Sequence, residues 1–171
     1  LGLVEDKPFV VFGAPATGCS PVAQAYRAGQ DFVAPVKPDT IAKSLAIGNP
    51  ADGPYVLDVV RRTGGVVADV DDDTVATNIV GLARAEGIFA ETAGGVTVGV
   101  TAKLLAEGVL DPEAETVVIN SGDGLKTLDA ISDRVGRRTV YRFGAVFMLL
   151  YAGPAWWLIS LGSYPIAIAA V

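Results

Sequence analysis

With 171 residues, 51% of them hydrophobic, the chain is long enough to bury a core of its own. A net charge of −6 without a basic stripe excludes nucleic acid as a partner, and the absence of histidine removes Ser-His and Cys-His nucleophile pairs and histidine-ligated metal sites. Cys19 is the single cysteine, so no internal disulfide can form and a reducing compartment suits the chain.

Leu1 as the first residue and Met148 as the sole methionine fit the downstream part of a longer or processed chain. Residues 1–20 lack the basic start, apolar run and cleavage pattern of a signal peptide. Phe9-Val-Val-Phe12 fits a short buried strand, and Gly13 to Gly18 is the loop after it. Ser20-Pro21 supplies an N-cap hydroxyl and a first-turn proline for a helix over 21–28, with Gly29 as its stop. Cys19, just before that cap and with no general base in the sequence, reads as a small buried or loop residue rather than a nucleophile.

Residues 32–36 form a second extended piece, and Pro38-Asp39 announces a helix over 40–46 that Ile47-Gly48-Asn49-Pro50 ends. Gly48 is expected to take a left-handed cap. Asn49 is then either a solvated cap residue or a side chain aimed into a pocket. The stretch 54–62 is amphipathic, with Tyr55, Val56, Leu57, Val59 and Val60 on one arc and Gly64-Gly65 as terminator. Val66-Val-Ala68 reads as another strand. Asp69-Val-Asp-Asp-Asp73 fails as a calcium loop, because Thr74 and Val80 stand where such a loop needs Gly and Glu. Its acids are expected to cap the next helix and fill its first turn.

Gly87 closes that helix, Ile88-Phe-Ala90 is short and apolar, and Glu91-Thr92-Ala-Gly-Gly95 leads into a helix over 96–107. Small residues at that helix start would let a flat or charged group approach the backbone. Thr116 to Asn120 reads as a buried strand, and Ser121-Gly-Asp-Gly124 as a turn at its end before a helix over 125–135. Alternating strands and helices imply an α/β fold: a mainly parallel sheet with helices on both faces, its ligands at the strand ends.

All 13 basic and 19 acidic residues precede Phe143, and the last 29 residues carry no charge. We therefore divide the chain into a catalytic-type part, 1–136, and an apolar tail, 137–171. By length, 143–171 is a candidate membrane span with a cytoplasmic amino side, although Pro154 and Pro165 would kink it; a non-native extension and a buried hairpin are the alternatives.

Three stretches stand in a telling order: Ile41-Ala-Lys-Ser-Leu-Ala-Ile-Gly-Asn-Pro50, Glu86-Gly-Ile-Phe-Ala-Glu-Thr-Ala93 and Asn120-Ser-Gly-Asp-Gly-Leu-Lys126. Together they resemble the C-terminal half of the threonine synthases, pyridoxal-phosphate enzymes of the tryptophan-synthase-β fold type, and the resemblance covers residues 9–136. It implies pyridoxal 5′-phosphate as cofactor, an amino-acid substrate, and conversion of O-phospho-L-homoserine and water to L-threonine and phosphate. It also implies a cytoplasmic biosynthetic enzyme, with a homodimer compatible with the intact protein.

The same resemblance places Ser121 as the hydroxyl partner of the pyridine nitrogen. A neutral hydroxyl of that kind tunes the ring as a moderate electron sink. It places Gly122 at the ring edge, Gly48 and Asn49 in a loop beside the ring, and Glu91 in the segment lining the opposite side. Asp123 ranks second to Ser121. The family's Schiff-base lysine and phosphate loop belong to the N-terminal half, and none of Lys7, Lys37, Lys43, Lys103 and Lys126 has the family's Ser-x-Lys-Asp context. The chain alone is accordingly expected to be inactive, with no catalytic residue of its own. Alternatives are another pyridoxal-phosphate lyase of the threonine dehydratase kind, or a non-catalytic α/β domain anchored in a membrane by 143–171.

Overall fold

The computed structural model describes residues 7–129, and the apolar tail therefore lies outside the described residues. Four α-helices follow in order: α1 (Pro21–Arg27), α2 (Gly53–Arg62), α3 (Asp72–Glu86) and α4 (Thr92–Ala106). Two 3₁₀ turns, Lys43–Leu45 and Gly124–Thr127, complete the described elements. Among the described residues no helix is long and apolar enough to cross a membrane.

The expected mainly parallel sheet with helices on both faces is not formed among the described residues, which contain no strand; what remains of it is two isolated parallel bridges. Gly13 pairs with Val67 and Ala16 with Val70, both parallel. The Gly13 amide donates to the Val66 carbonyl at 2.9 Å, Ala68 donates to Gly13 at 3.1 Å, and Thr17 donates to Val70 at 2.8 Å. In this register the intervening donor would be residue 15, and Pro15 has no N–H to give. The ladder breaks there, which reduces a strand pair to isolated bridges. The expectation of buried strands over 9–12 and 116–120 is not met: Phe9, Val10, Val117 and Ile119 are all exposed. β-branched composition marks what fits a sheet, but burial requires a neighbour.

Two packed groups hold the described part together. Ala23 of α1, Val60 of α2 and Val67 bury one another, with Val11, Val22 and Tyr26 around them. The Tyr26 hydroxyl donates to the Gly65 carbonyl at 3.0 Å, so the aromatic ring stays in apolar contact while its polar tip is satisfied. The second group joins α3 to α4 through Val75, Ile79, Val96, Val100 and Leu104, all nearly inaccessible to solvent. Each such side chain contributes about 1.5–3 kcal/mol through removal from water.

Local details depart from the expected boundaries for identifiable reasons. α1 ends where predicted, with Gly29 at φ 66°, but the Ser20 hydroxyl donates back to the Thr17 carbonyl instead of capping the helix. Residues 40–46 make only the Lys43–Leu45 turn rather than a helix. Gly48 is no left-handed cap either; its backbone lies so close to the Val36 carbonyl that a Cβ could not fit. On α2 the buried arc is narrower than the apolar one: Leu57 and Val60 are buried, and Tyr55 is exposed. α3 matches expectation, with the Asp71 carboxylate accepting from the Thr74 amide at 2.7 Å and Gly87 left-handed at its end.

α4 begins at Thr92, four residues earlier than the glycines suggested. Gly94, Gly95 and Gly99 are helical contact points. A Cβ on Gly95 would meet the Val75 carbonyl and Ile79 at 2.6 Å, and one on Gly99 would touch Thr74 at 3.2 Å. The helical entropy lost to glycine is offset by the close approach of α3.

Candidate functional site

The site grows from a short antiparallel contact between two segments thirty residues apart. Ala90 pairs with Asp123, the Glu91 amide donates to the Gly122 carbonyl at 3.0 Å, and the Gly124 amide donates to the Phe89 carbonyl at 2.8 Å. Gly124 packs its backbone on the Phe89 ring, where any side chain would collide. This pairing brings Glu91, Ser121 and Gly122 together.

The Ser121 hydroxyl donates to Glu91 Oε1 at 3.2 Å. Glu91 is 6% exposed, whereas Ser121 opens to solvent. A Cβ at Gly122 would overlap the Glu91 carboxylate, so glycine is what admits the acid beneath the turn. Ser121 and Gly122 therefore stand with Glu91, which lies against Ser121 itself. Asp123, the second-ranked partner, is engaged elsewhere: its carboxylate accepts from the Leu125 amide at 2.8 Å and caps the 3₁₀ turn.

Gly48 and Asn49 sit on a separate loop. The Gly48 carbonyl accepts from the Val36 amide at 2.9 Å, and Asn49 is exposed. The loop is fixed upstream by Asp72, which accepts from the Thr40 hydroxyl at 2.6 Å and from the Ile41 amide at 3.0 Å. The acidic run thus anchors a loop as well as a helix. Lys43 Nζ donates to the Thr40 carbonyl at 2.7 Å, and Lys103 Nζ to the Asp69 carbonyl at 3.0 Å. Lys7, Lys37 and Lys126 are exposed.

Sequence reasoning missed two threonines. The Thr92 amide donates to the Thr127 hydroxyl at 3.3 Å, tying the first residue of α4 to the turn that follows Ser121. Thr92 Oγ1 is fully buried and has no hydrogen-bond partner among the described residues. The separation of 35 residues left no local signal.

Elsewhere, burial pushes the Cys19 thiol above its ordinary value, which suits a packed residue and not a nucleophile. Burial also pushes the Asp69 carboxyl upward, but the hydrogen-bonded guanidinium of Arg27, the neighbouring Ser20 hydroxyl and the charges of Arg27 and Lys103 outweigh it and hold the group below its ordinary value. A cavity of about 690 Å³ is lined by Phe9, Phe12, Val100, Leu104 and Ile119 and contains none of the predicted site residues. Its charged lining residues are Asp111 and Glu115, which would repel a phosphate.

Residues 2–122 match the family model described as pyridoxal-phosphate dependent enzyme. Threonine synthase of Methanocaldococcus jannaschii is 37% identical over 130 residues, covering 75% of this chain and 32% of that protein. Threonine synthase of Methanosarcina acetivorans is 31% identical over 141 residues, covering 82% of this chain and 35% of its own. The chain spans about a third of the length of these curated relatives. Among solved structures, maize serine racemase covers 53% of this chain and 27% of its own at 22% identity, and its TM-score of 0.44 is too low to bear on the fold.

Proposed function

The chain belongs to the pyridoxal-phosphate dependent enzyme family, and from that premise we propose that it carries the ring-facing part of a threonine synthase active site. The observation that carries this reading is the Ser121–Glu91 hydrogen bond, an open hydroxyl backed by a buried acid. The reaction it would serve is the conversion of O-phospho-L-homoserine and water to L-threonine and phosphate.

The residues present fit the cofactor's ring end. Gly122 has no side chain to obstruct a flat group, and Ser121 offers a hydroxyl at the hydrogen-bonding edge. Gly48 and Asn49 are proposed to border the ring from the loop anchored by Asp72. When bound, pyridoxal phosphate supplies an electron sink for chemistry at the substrate's carbons. This chain's part is to orient the ring edge and fix a proton at the serine.

Covalent attachment and phosphate binding are assigned to the portion that the longer relatives possess and this chain does not include. A Schiff-base lysine is activated by desolvation or by a neighbouring cation. Lys7, Lys37 and Lys126 are exposed, while Lys43 and Lys103 hold backbone carbonyls. The chain alone is therefore proposed to be inactive.

The test is complementation in vitro. The N-terminal part of the M. jannaschii threonine synthase is mixed with this chain, and phosphate release from O-phospho-L-homoserine is followed. Release by the mixture, and by neither part alone, is expected. Release of phosphate from a threonine dehydratase substrate is impossible, so formation of 2-oxobutyrate from threonine, without phosphate release, would overturn the assignment.

A further inference from the structure

We infer that the groove between residues 8–12 and 115–119 is the seat of one inserted β-strand, an extended apolar segment from the part of the enzyme that the longer relatives possess and this chain does not span. The occupant follows from family membership and does not depend on which substrate the enzyme takes. The first wall has one edge spent and one free. In a parallel ladder the amide and carbonyl of one residue face one edge, and those of the next residue face the other. The Val11 amide donates to the Thr63 hydroxyl at 3.1 Å, and Gly13 donates to the Val66 carbonyl at 2.9 Å and accepts from the Ala68 amide at 3.1 Å. Val10 and Phe12 therefore turn toward the groove, and their amides have no hydrogen-bond partner among the described residues.

The second wall is in the same condition. The amides of Val117, Val118 and Ile119 are unpartnered among the described residues, while the Ile119 carbonyl accepts from the Thr97 hydroxyl of α4 at 3.2 Å. No backbone hydrogen bond joins the two walls. Val100 and Leu104 of α4 close the floor between them. Each wall is five residues long. An ordinary strand has about 5–6 residues and pairs with a neighbour on either edge, so one strand is what this groove lacks.

The chemistry of the occupant is set by these walls. A helix spends its amides and carbonyls internally, whereas an extended segment offers them to both edges at once. Its side chains on the α4 face rest on Val100 and Leu104 and must be apolar. Phe9, Val10, Val117 and Ile119, exposed in this chain, then gain the neighbour that their residue types suit. Asp111 and Glu115 on the lining disfavour an acidic segment. Because the chain spans about a third of its curated relatives, the remaining two thirds are the source of such a strand.

Co-expression of the tagged chain with the N-terminal part of the M. jannaschii threonine synthase tests this, by co-purification and then hydrogen exchange of the complex. The two are expected to co-purify, with the Val10 and Phe12 amides and amides within 117–119 exchanging about a hundredfold more slowly than in the chain alone. The Val11 and Gly13 amides, already bonded, should change less. Val10→Pro deletes a groove-facing donor and no hydrogen bond of the free chain, so it should weaken association about tenfold. If that variant loses its circular dichroism, Val117→Asp, at a position exposed in the free chain, should weaken association as much by setting a charge beside the inserted strand. Failure to co-purify, co-purification without slowing at Val10 and Phe12, or unchanged association of a folded variant overturns the proposal. The same slowing in the chain alone at raised concentration also overturns it, by putting a second copy in the groove. Slowing without phosphate release from O-phospho-L-homoserine leaves the strand seat standing and counts against the threonine synthase assignment; phosphate release without slowing does the reverse.

Discussion

Gly95 on α4 and Ile79 on α3 touch where no side chain could stand between them: a Cβ on Gly95 would come within 2.6 Å of Ile79 Cγ1. The same atom would meet the Val75 carbonyl, which cannot move without disturbing α3. Gly95→Ala should therefore destabilise the chain by about 1–3 kcal/mol despite alanine's better helix propensity. Denaturant unfolding followed by far-ultraviolet circular dichroism measures this. A midpoint equal to or above that of wild type would contradict the close packing.

Arg27 reaches Asp69 with two hydrogen bonds of 2.9 and 3.2 Å. The Asp69 carboxyl is held below its ordinary value near 3.8, so its contribution to stability is complete above that pH and is lost as pH falls through the lower folded value. Asp69→Asn should accordingly lower stability by roughly 1–2 kcal/mol at neutral pH and by progressively less in strong acid. Unfolding free energies of the two proteins, compared across acidic pH, should converge. A constant difference would place the loss elsewhere.

Asp72 holds the loop that leads to Gly48 and Asn49 through Thr40 and Ile41. Asp72→Ala leaves a buried threonine hydroxyl and a backbone amide without their acceptor, at a cost of about 1–3 kcal/mol. Faster proteolytic cleavage within 41–50 is the expected signature, with α3 intact because Asp71 still caps it. Cleavage at the wild-type rate would show that the loop is fixed by other contacts.

Borohydride reduction of the chain in the presence of pyridoxal 5′-phosphate should label no lysine site-selectively. Lys7, Lys37 and Lys126 are exposed, and Lys43 and Lys103 are tied to carbonyls at 2.7 and 3.0 Å. Peptide mapping distinguishes diffuse surface labelling from stoichiometric modification of one residue. Stoichiometric modification would reverse the assignment of covalent attachment to another portion of the protein.

α3 was legible because caps and terminators are local chemistry, Asp71 and Gly87 bounding it as their residue types require, whereas the helix expected over 40–46 is only the Lys43–Leu45 turn. The start of α4 was misplaced because Gly94 and Gly95 read as a loop, whereas their smallness serves contact with α3 and Asn120. Val117 and Ile119 carry the composition of a buried strand, but sequence cannot supply the neighbour that would cover them. Ser121, Gly122 and Glu91 were legible as family motifs, and the structure joins them. Their hydrogen bond spans 30 residues and had no sequence signal, nor did the Thr92–Thr127 contact.

The antiparallel contact that assembles this site consists of two backbone hydrogen bonds, Glu91 to Gly122 and Gly124 to Phe89. Neither depends on the packing of α3 against α4 a few residues away. The turn carrying Ser121 can lift off by breaking those two bonds together with the Ser121–Glu91, Thr92–Thr127 and Thr97–Ile119 hydrogen bonds while the helix pair stays folded, so opening costs less free energy than global unfolding. In hydrogen exchange, the Glu91 and Gly124 amides would then exchange as one early unit and the interior amides of α4 as a later one. The serine and its acid would be a latch on an otherwise standing helical frame.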